Sequence, residues 1–322
     1  MKLIIQIPCL NEEEYLPITL SELPREIDGI DTVEWMVIDD GSTDKTVEIA
    51  RKHGADHIVQ HHQHKGLAAA FKTGIEACVN FGADIIVNTD ADNQYPAKYI
   101  ADLVSSIIKG KTDIVIGDRE TDKIQHFSLT KRILQKIGSW AVRKVSGTDI
   151  PDAPSGFRAY SKEAAMRLNI LSDYTYTLET IIQAGKKNLN MMHITIQTNP
   201  TNRPSRLLKS NWNYVLRSAG TIFKLFVLYE PQKFFFFLSF PFILIGSGLW
   251  IRFLILRILE EGMRGEYIQS VIVGGVCLLI GVFICCLGLI GEFLAKNRQL
   301  LEEQIYLQKQ RISKNHSKNI EI

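Results

Sequence analysis

Two spacings of apolar residues divide the first half of the chain into strand-like and helix-like segments. Five short apolar runs have the length of buried strands: "LIIQIP", "EWMVIDD", "DHIVQH", "ADIIVNT" and "TDIVIGD". Between them, apolar residues recur at helical spacing in four segments, residues 13–23, 43–53, 66–81 and 96–109. This alternation predicts an α/β fold with a mostly parallel sheet and right-handed crossovers.

Polar clusters stand at the ends of four of these strand-like runs. They are Asn11-Glu12, Asp39-Asp40, Asp90-Ala91-Asp92 and Asp118-Arg119. Parallel sheets bind their ligands at the carboxyl ends of the strands, so the four clusters are predicted to outline one site. The first strand leads into "PCLNEEEYL" without a G-x-G-x-x-G motif, and the chain has no G-x-x-x-x-G-K-[ST] motif. A dinucleotide-binding Rossmann domain and a P-loop enzyme are therefore disfavoured.

The D-x-D segment raises a question of charge. Side chains at positions i and i+2 of an extended segment point the same way, and two neighbouring carboxylates repel unless a cation lies between them. Asp90 and Asp92 therefore either diverge into water in an ordinary loop or hold a metal together with Gln94. Mg²⁺ and Mn²⁺ suit such oxygen ligands, particularly next to the diphosphate of a nucleotide.

The last third of the chain is apolar. Residues 234–251 and 267–291 form runs of eighteen and twenty-five residues without a charge. At about 1.5 Å per residue, both can cross a hydrocarbon layer of roughly 30 Å, the first with help from its flanks. Buried core helices are the alternative, but two such runs after a complete α/β domain favour two transmembrane helices.

Charges around these runs predict an orientation. The tail from Lys296 carries six basic and three acidic residues, so the positive-inside rule places the tail and the α/β domain in the cytoplasm. Residues 181–229 contain seven basic residues and no acidic one. Within this block, "NWNYVLRSAGTIFKLFVLYEP" has the amphipathic spacing of a helix lying in the membrane interface. A solvated basic face and an amphipathic helix packed on the domain are the alternatives.

Composition narrows the picture further. The net charge is only +2, so nucleic acid is not an expected partner. The five cysteines show no metal-ligand spacing and are expected to be reduced thiols. The segment "HHQH" (residues 61–64) is interpreted as a surface cluster before a helix, with a metal site as the alternative. The chain opens directly on a strand-like run, so no signal peptide is expected.

Several motifs together resemble a known family. They are "IPCLNEEEYLP", "VIDDGSTDKT", "HKGLAAAFKTGIEA", "NTDADNQYP", "IGDRE", "PSGFRAYS" and "YTLETIIQAGKK". In this order they are similar to the motifs of family 2 glycosyltransferases with the GT-A fold, which is a Rossmann-like nucleotide-sugar-binding domain. More narrowly, the chain resembles the polyprenyl-phosphate glycosyltransferases, the group of dolichol-phosphate mannose synthase and bactoprenol glucosyltransferase. The two C-terminal spans and "GLIGEFLAKNRQLLEE" resemble the bactoprenol branch.

The resemblance implies roles for individual residues. The implied nucleotide-binding residues are Pro8, Asn11, Glu12, Asp39, Asp40, Lys65 and Asp90. The implied metal and diphosphate ligands are Asp90, Asp92 and Gln94, and the implied catalytic residues are Asp92, Arg119 and Asp152. The implied acceptor-phosphate residues are Ser155, Arg203, Ser205 and Arg206, with Gly156 and Phe157 completing the S-G-F motif. The family commonly has R-x-x-G-x-S-K where this chain has a shorter spacing and an arginine in place of lysine. The role of Glu179, at the start of a predicted helix, stays open.

The implied activity is a metal-dependent, inverting transfer of a hexose from a nucleotide sugar to polyprenyl phosphate, with Mg²⁺ or Mn²⁺ as cofactor. Glucose from UDP-glucose is the first donor and mannose from GDP-mannose the second. The expected partners are this donor, the lipid acceptor and membrane lipids. Close helix contacts at glycines of the second span also leave a homo-oligomer open.

The predicted domains follow the same reasoning. They are a cytoplasmic catalytic domain (1–209), an interfacial amphipathic helix (210–232), transmembrane helices (233–258 and 267–292) and a cytoplasmic tail (293–322). Both termini are then cytoplasmic. Two other functions are weighed: a processive polysaccharide synthase, which usually needs more spans and a Q-x-x-R-W motif, and a non-enzymatic membrane protein that only binds nucleotide.

Overall fold

The computed structural model describes residues 1–120, 129–171, 175–199, 211–259 and 268–320. Its contacts divide the chain into two compact units. The first comprises Met1–Ile222 together with Glu302–Ile322, and the second comprises Phe223–Leu301.

A seven-stranded sheet forms the centre of the first unit. Its strands are β1 (Lys2–Cys9), β2 (Thr32–Asp39), β3 (His57–Gln60), β4 (Ile85–Asn88), β5 (Ile114–Asp118), β6 (Arg158–Ser161) and β7 (Met191–Thr195). The order across the sheet is β3-β2-β1-β4-β6-β5-β7, and β6 runs antiparallel to both of its neighbours. The predicted α/β fold with a mostly parallel sheet is confirmed, and so are the five predicted strands. The sequence did not predict β6 and β7.

Seven helices accompany this sheet in the described part of the unit. They are α1 (Leu16–Glu22), α2 (Thr46–Lys52), α3 (Leu67–Asn80), α4 (Ile100–Ile108), α5 (Leu129–Ser146), α6 (Lys162–Arg167) and α7 (Thr177–Lys186). The four predicted helices are present but shorter. Helix α1 begins three residues after the predicted start, with a proline in its first turn, where the missing N–H costs nothing. The segment before α4 is a single 3₁₀ turn, Ala97–Tyr99.

The core explains why the central strands are continuous apolar runs. Leu3, Ile4, Ile5 and Ile7 of β1 are all fully buried, because helices cover both faces of the sheet. The neighbouring β4 is equally buried along its whole length. A rigid centre of this kind fixes the positions of the loops that leave its strands.

Three further helices follow: α8 (Asn211–Tyr229), α9 (Pro231–Leu259) and α10 (Ile268–Ile320). The segments Pro231–Ile258 and Ile268–Ile312 each contain an 18-residue stretch of high mean hydropathy, 2.0 and 2.8 respectively, and are long enough to cross a membrane. These are the two predicted apolar spans. Helix α10 continues well beyond the apolar run that was predicted to end at Gly291. Most of the predicted connection between the spans lies outside the described residues.

Helices α9 and α10 approach each other at glycines. A Cβ atom at Gly281 would lie 2.6 Å from Ile243 Cγ1, and one at Gly246 would lie 2.8 Å from the carbonyl oxygen of Gly274. A Cβ at Gly275 would meet nothing within 4 Å. Glycines that the sequence suggested for close helix contacts are thus used within the chain. A homo-oligomer stays a prediction.

The end of α10 packs on the first unit, of which it is a part. Lys187 Nζ lies 2.8 Å from Glu302 Oε2, and the guanidinium of Arg167 lies 4.4 Å from the ring centre of Tyr306. The sequence predicted only a charged tail here.

Candidate active site

The strand register brings the predicted polar clusters to one edge of the sheet. β1 pairs in parallel with β2, with Cys9 opposite Asp39, and with β4, with Gln6 opposite Asn88. Because both β4 and β5 run antiparallel to β6, these two strands point the same way. The loops that follow β1, β2, β4 and β5 therefore leave the same edge of the sheet.

The loops after β1 and β2 are joined by hydrogen bonds. The N–H of Asn11 donates to Ser42 Oγ (2.9 Å), and the N–H of Thr43 donates to Asn11 Oδ1 (2.8 Å). The N–H of Ser42 in turn donates to Asp39 Oδ1 (3.1 Å). Asn11 has a φ of 54°, a conformation that asparagine tolerates better than most residues. Asn11 and Asp39 therefore hold the backbone of this part of the edge in place.

The other predicted nucleotide-binding residues differ in exposure. Pro8 is buried in β1, and Glu12 is only 8% exposed, with its N–H donating to Thr46 Oγ1 (2.8 Å). Lys65, by contrast, is exposed at the start of α3. An exposed ammonium group at this edge of the sheet suits a contact with a ligand more than a contact with the core.

Asp40 organises the loop that precedes α3. Its Oδ1 lies 2.7 Å from His61 Nδ1 and its Oδ2 lies 2.7 Å from His64 Nδ1. It also accepts hydrogen bonds from the N–H groups of Lys65 (3.0 Å) and Gly66 (2.8 Å). Burial acts to raise the pKa of Asp40, but the hydrogen bonds and the nearby His64 outweigh it, so this pKa lies below its usual value. Asp40 thus fixes the backbone at Lys65 and Gly66, just before α3.

These contacts change the interpretation of the histidine cluster. His61 is 9% exposed and its Nε2 lies 2.9 Å from Thr73 Oγ1, so the prediction of a surface cluster is wrong for this residue. His62 and His64 are exposed, as predicted. Within the described residues, no group of three or more His, Cys, Asp or Glu side chains is arranged to hold a metal.

The D-x-D loop follows β4 directly. Asp90, Asp92 and Gln94 are all half-buried, and the N–H of Gln94 donates to Asp92 Oδ1 (3.1 Å). This bond closes a tight turn in which Asn93 has a φ of 53°. The three predicted metal ligands therefore lie in one compact loop.

Two neighbouring segments support this loop from outside. Thr19 Oγ1 of α1 donates to the carbonyl oxygen of Ala91 (2.8 Å). Asn199 makes two hydrogen bonds to the loop, both at 2.9 Å. Its side-chain Nδ2 donates to the carbonyl oxygen of Asn93, and its backbone N–H donates to the carbonyl oxygen of Gln94. Thr19 and Asn199 were not predicted from the sequence. The order of residues along the chain does not show which distant polar group will donate a hydrogen bond to a carbonyl oxygen of this loop.

The S-G-F loop lies against the D-x-D loop. A Cβ atom at Gly156 would lie 3.2 Å from Asp90 Oδ1 and 3.0 Å from the hydroxyl of Tyr176. The N–H of Gly156 donates to the hydroxyl of Tyr95 (3.2 Å), and its carbonyl oxygen accepts from Asn88 Nδ2 (2.8 Å). Burial raises the pKa of Tyr95 to about 12, so this phenol stays protonated at neutral pH. Only glycine fits between these groups without displacing them.

Asn88 connects this loop to the sheet. Its Oδ1 accepts from Gln6 Nε2 (2.9 Å), and its Nδ2 also donates to the hydroxyl of Tyr176 (3.0 Å). The ring of Tyr176 stacks on Phe71 at a centroid distance of 3.8 Å. The network was not predicted, although polar Gln6 within the apolar run "LIIQIP" was the available signal.

Arg119 and Asp152 form a buried ion pair. Arg119 Nε lies 2.7 Å from Asp152 Oδ2 and Nη2 lies 2.9 Å from Oδ1, with the two side chains 9% and 3% exposed. The N–H of Arg119 also donates to Asp152 Oδ2 (3.2 Å). The sequence identified both residues but did not predict that they bind each other. Burial also raises the pKa of the neighbouring Asp118.

A buried arginine holds the loop that carries Ser155. Arg158 is fully buried and donates to the carbonyl oxygens of Ser155 and Ala153, both at 2.7 Å, and to that of Thr177 at 2.9 Å. Ser155 is itself fully buried, and its hydroxyl has no hydrogen-bond partner among the described residues. A buried hydroxyl without a partner is costly, so it points to a ligand that would complete it.

The remaining predicted residues are less informative. Arg203, Ser205 and Arg206 lie outside the described residues. Glu179 is fully buried and accepts hydrogen bonds from the N–H of Leu171 and from Gln183 Nε2. Glu179 therefore supports the segment before α7.

The chemistry of this edge favours an anionic ligand bound with a divalent ion. Asp90 and Asp92 supply two carboxylates, which is fewer than an all-protein metal site uses but matches Mg²⁺ that keeps phosphate oxygens as ligands. The backbone of Gly156 lies directly beside Asp90, since a Cβ atom there would be 3.2 Å from Asp90 Oδ1. The residues present thus fit a metal bound together with a diphosphate.

Comparison with known proteins identifies similar sequences and folds. An uncharacterized protein from Methanocaldococcus jannaschii is 34% identical over 202 residues, which cover 61% of this chain and 81% of that protein. The UDP-N-acetylglucosamine–dolichyl-phosphate N-acetylglucosaminyltransferase of Methanococcus voltae is 29% identical over 60% of this chain and 83% of its own length.

A solved structure shares the fold. Glucosyl-3-phosphoglycerate synthase from Mycobacterium tuberculosis, crystallised with Mn²⁺, UDP-glucose and phosphoglyceric acid, superposes with a TM-score of 0.55 at 20% identity. The likeness covers 69% of this chain and 79% of the synthase. The model of glycosyl transferase family 2 matches residues 4–168, about half of the chain, so the chain belongs to glycosyl transferase family 2.

Proposed function

We propose that the protein transfers a hexose from a nucleotide sugar to a polyprenyl phosphate at the membrane surface. The observation that carries the proposal is the direct approach of two loops, in which Gly156 of the S-G-F segment lies against Asp90 of the D-x-D segment. A donor diphosphate at Asp90 and an acceptor at Ser155 would then be close enough to react. The acceptor class follows the Methanococcus voltae relative, whose name specifies dolichyl phosphate.

Asp90, Asp92 and the amide oxygen of Gln94 would hold Mg²⁺ or Mn²⁺. When bound, such an ion supplies positive charge that offsets the negative charge developing on the departing diphosphate. The supporting bonds from Thr19 and Asn199 keep these ligands in one arrangement. Asn11, Glu12, Asp39 and Lys65 would surround the nucleotide, with Pro8 beneath it and Asp40 holding the Lys65 loop.

The acceptor needs no general base. A phosphate monoester has a second pKa of about 6, so its attacking oxygen is largely ionised at neutral pH. This oxygen forms the new bond to C1 of the sugar while the bond from C1 to the diphosphate oxygen breaks, with inversion at C1. Asp152 would serve by holding Arg119, whose planar guanidinium suits a phosphate oxygen. Arg203, Ser205 and Arg206 would add hydrogen bonds and positive charge beside the acceptor phosphate.

Glucose from UDP-glucose is the proposed donor, and mannose from GDP-mannose is the second candidate. UDP-glucose rests on the resemblance of the two spans to the bactoprenol branch. UDP-sugars are also the donors in the name of the Methanococcus voltae relative and in the crystals of the Mycobacterium tuberculosis synthase. A panel of donors given to the purified protein separates the two candidates.

Two membrane spans would keep the enzyme beside a lipid acceptor. We propose a cytoplasmic catalytic domain (1–209), an interfacial helix (210–232), spans at 233–258 and 267–292 and a cytoplasmic tail (293–322). Both termini are then cytoplasmic, which follows from the excess of basic residues in the tail. Cysteine-accessibility labelling of a loop residue and a tail residue in sealed vesicles tests this orientation.

The central test is transfer of label by the purified full chain. The protein in nanodiscs receives labelled UDP-glucose, Mn²⁺ and a polyprenyl phosphate, and the label is followed into an acid-labile lipid. Removal of the metal by chelator and the variant Asp92→Asn should each abolish most of the transfer. Asp102→Asn, an exposed carboxylate on α4, is the matched control and should leave transfer unchanged.

Other outcomes decide between the alternatives. Label in an insoluble polymer would indicate a polysaccharide synthase, and label that stays in the nucleotide with every donor would indicate a binding protein. Full transfer in the presence of chelator would overturn the metal-dependent mechanism.

A further inference from the structure

The end of α10 turns one polar face towards the first unit. Glu302, Tyr306 and Lys309 are spaced four and three residues apart, so they lie on one side of the helix. Glu302 and Tyr306 are only 8% and 6% exposed, whereas the neighbouring Leu307 is 46% exposed. Glutamate is rarely buried to this extent unless it is paired, so this face makes a specific contact.

The contact is made with the ends of α6 and α7. Lys187, the residue that follows α7, has its Nζ 2.8 Å from Glu302 Oε2. The same Nζ donates to the carbonyl oxygen of Arg167, the last residue of α6 (2.5 Å). The guanidinium of Arg167 in turn lies 4.4 Å from the ring centre of Tyr306. The end of α10 thus joins α6 to α7 at one point.

Helix α6 depends on contacts of this kind. It has only six residues, which is too few for a stable helix by itself, and its last carbonyl groups have no partner within the helix. The ammonium groups of Lys187 and Lys309 lie 2.5 Å and 3.5 Å from the carbonyl oxygens of Arg167 and Met166. Positive charge at this end also suits the dipole of the helix. The end of α10 therefore helps to fix α6.

The segment between α6 and α7 is bonded along α7. The N–H of Asn169 donates to Gln183 Oε1 (2.9 Å), and the N–H of Leu171 donates to Glu179 Oε1 (3.0 Å). Gln183 and Glu179 are both fully buried. The two helices are therefore held as one piece.

Helix α7 extends from this contact to the candidate active site. Its residues 177–184 are all buried. At its first turn, the carbonyl oxygen of Thr177 and Oγ1 of Thr180 accept hydrogen bonds from Arg158 Nη1 (2.9 and 2.6 Å). The same guanidinium donates to the carbonyl oxygen of Ser155 (2.7 Å). One end of α7 thus contacts α10, and the other end contacts the arginine that holds the Ser155 loop.

We propose that Glu302 and Tyr306 are positioning residues for the acceptor side of the candidate active site. They act through α6 and α7 on Arg158, and so fix the loop that carries Ser155. The effect on acceptor use rests on the proposed function, whereas the positioning of the loop does not.

The donor side does not share this support. The D-x-D loop is held by hydrogen bonds from Thr19 and Asn199, neither of which belongs to α6, α7 or α10. Loss of the α10 contact should therefore affect the acceptor and leave the nucleotide and its metal in place.

The variant Tyr306→Ala in the full chain separates the two sides. It removes the ring beside Arg167, and we expect the KM for polyprenyl phosphate to rise about tenfold, because a small misplacement of a binding group has an effect of this order. The KM for the nucleotide sugar and the affinity for Mn²⁺ with UDP should stay unchanged. Tyr306→Phe keeps the ring and should retain the original KM. Leu307→Ala, at the exposed neighbouring position, is the matched control.

Amide hydrogen exchange follows the loop without any catalytic turnover. In Tyr306→Ala the N–H groups of Leu171 and Gly156 should exchange about tenfold faster, because the contacts that hold them loosen. The N–H of Gln94, in the D-x-D loop, should exchange at its original rate. Glu302→Gln should give the same pattern, since it removes the charge that pairs with Lys187.

Two results would overturn the proposal. If the acceptor KM of folded Tyr306→Ala is unchanged, the α10 contact only stabilises the fold. If the KM values for acceptor and donor rise together, the contact is not directed to the acceptor side.

The amide measurement keeps this proposal apart from the proposed function. If no form of the protein transfers sugar, the proposed function fails, and exchange alone decides the positioning role. Faster exchange at Gly156 with unchanged exchange at Gln94 then supports the role of Tyr306. An unchanged rate at Gly156 refutes it.

Discussion

Changing Asp92 or Asp152 to asparagine should have opposite effects on activity and on stability. Asp92 is half-buried in the D-x-D loop, whereas Asp152 is 3% exposed and paired with Arg119. We expect Asp92→Asn to abolish activity in a stable protein and Asp152→Asn to destabilise a protein that still reacts. The contrast separates a proposed metal ligand from a residue that positions another.

The magnitudes follow from the contacts of each carboxylate. Removing one partner of a buried ion pair lowers the free energy of unfolding by about 3–5 kcal/mol. Asparagine keeps one oxygen that can still accept a hydrogen bond from Arg119, so we expect a loss of about 3 kcal/mol for Asp152→Asn. For a unit of this size that lowers the Tm by roughly 6–12 °C. Asp92 is half-buried and accepts a hydrogen bond from the N–H of Gln94, which an asparagine oxygen also accepts, so Asp92→Asn should lose less stability than Asp152→Asn.

The two variants should rank in the opposite order for activity: Asp92→Asn, the more stable variant, should be the less active one. Losing a charge that helps to stabilise the leaving diphosphate costs about 10²–10³ in rate, which we expect for Asp92→Asn. Asp152→Asn should cost about tenfold, from looser positioning of Arg119. Thermal unfolding in detergent and label transfer per folded molecule measure both quantities.

Two further observations complete this test. The double variant Arg119→Gln/Asp152→Asn should be more stable than Asp152→Asn alone, because no buried charge is left without its partner. If the folded fraction of Asp152→Asn is less active than Asp92→Asn, Asp152 takes part in the chemistry and the positioning role is refuted.

Three more outcomes follow from the structure. Gly156→Ala should lower kcat/KM about tenfold, because its Cβ would lie 3.2 Å from Asp90 Oδ1 and displace a proposed metal ligand. Gly138→Ala should leave kcat/KM unchanged, because its Cβ would meet nothing within 4 Å. Asp40→Asn should cost about 2 kcal/mol of stability at pH 7. Folding lowers the pKa of Asp40, so its contribution to the free energy of unfolding is present above the unfolded pKa of about 3.9. This contribution is lost as the pH falls through the pKa of the folded state. Urea unfolding of the original protein and of Asp40→Asn should therefore give converging stabilities below about pH 4. Gly281→Ala should lower the Tm in detergent by overpacking at 2.6 Å, while Gly275→Ala should not.

The sequence predicts the parts of the fold that depend on local pattern. Apolar runs such as "ADIIVNT" become central strands because helices cover both sides of them. β6 escaped prediction because Arg158–Ser161 begins with an arginine and contains no apolar run. That arginine is buried and donates to the carbonyl oxygens of Ser155 and Thr177, and no local pattern shows that these groups will surround it.

The candidate site divides in the same way. Residues at strand ends, such as Asp90 and Arg119, can be found because topology alone decides where a strand ends. Their partners cannot be found in this way, because the pairing of Arg119 with Asp152 depends on how a loop folds back across the sheet edge. Asn88 and Tyr176 begin two of the quoted motifs without a role that the sequence could assign, yet Asn88 donates both to the S-G-F loop at Gly156 and to the hydroxyl of Tyr176.

The state of Asp152 bears on the chemistry that this edge can support. A general base needs a lone pair aimed at the proton that it removes, whereas the bonds from Arg119 occupy three of the roughly four lone-pair positions of Asp152. Asp152 is therefore poorly placed to act as a general base for an acceptor that must lose a proton, such as a sugar hydroxyl. A lipid phosphate arrives already ionised and needs a cation to align it, which is what a guanidinium held by Asp152 can offer. The ion pair thus favours a phosphate acceptor over a hydroxyl acceptor on grounds independent of any relative's name.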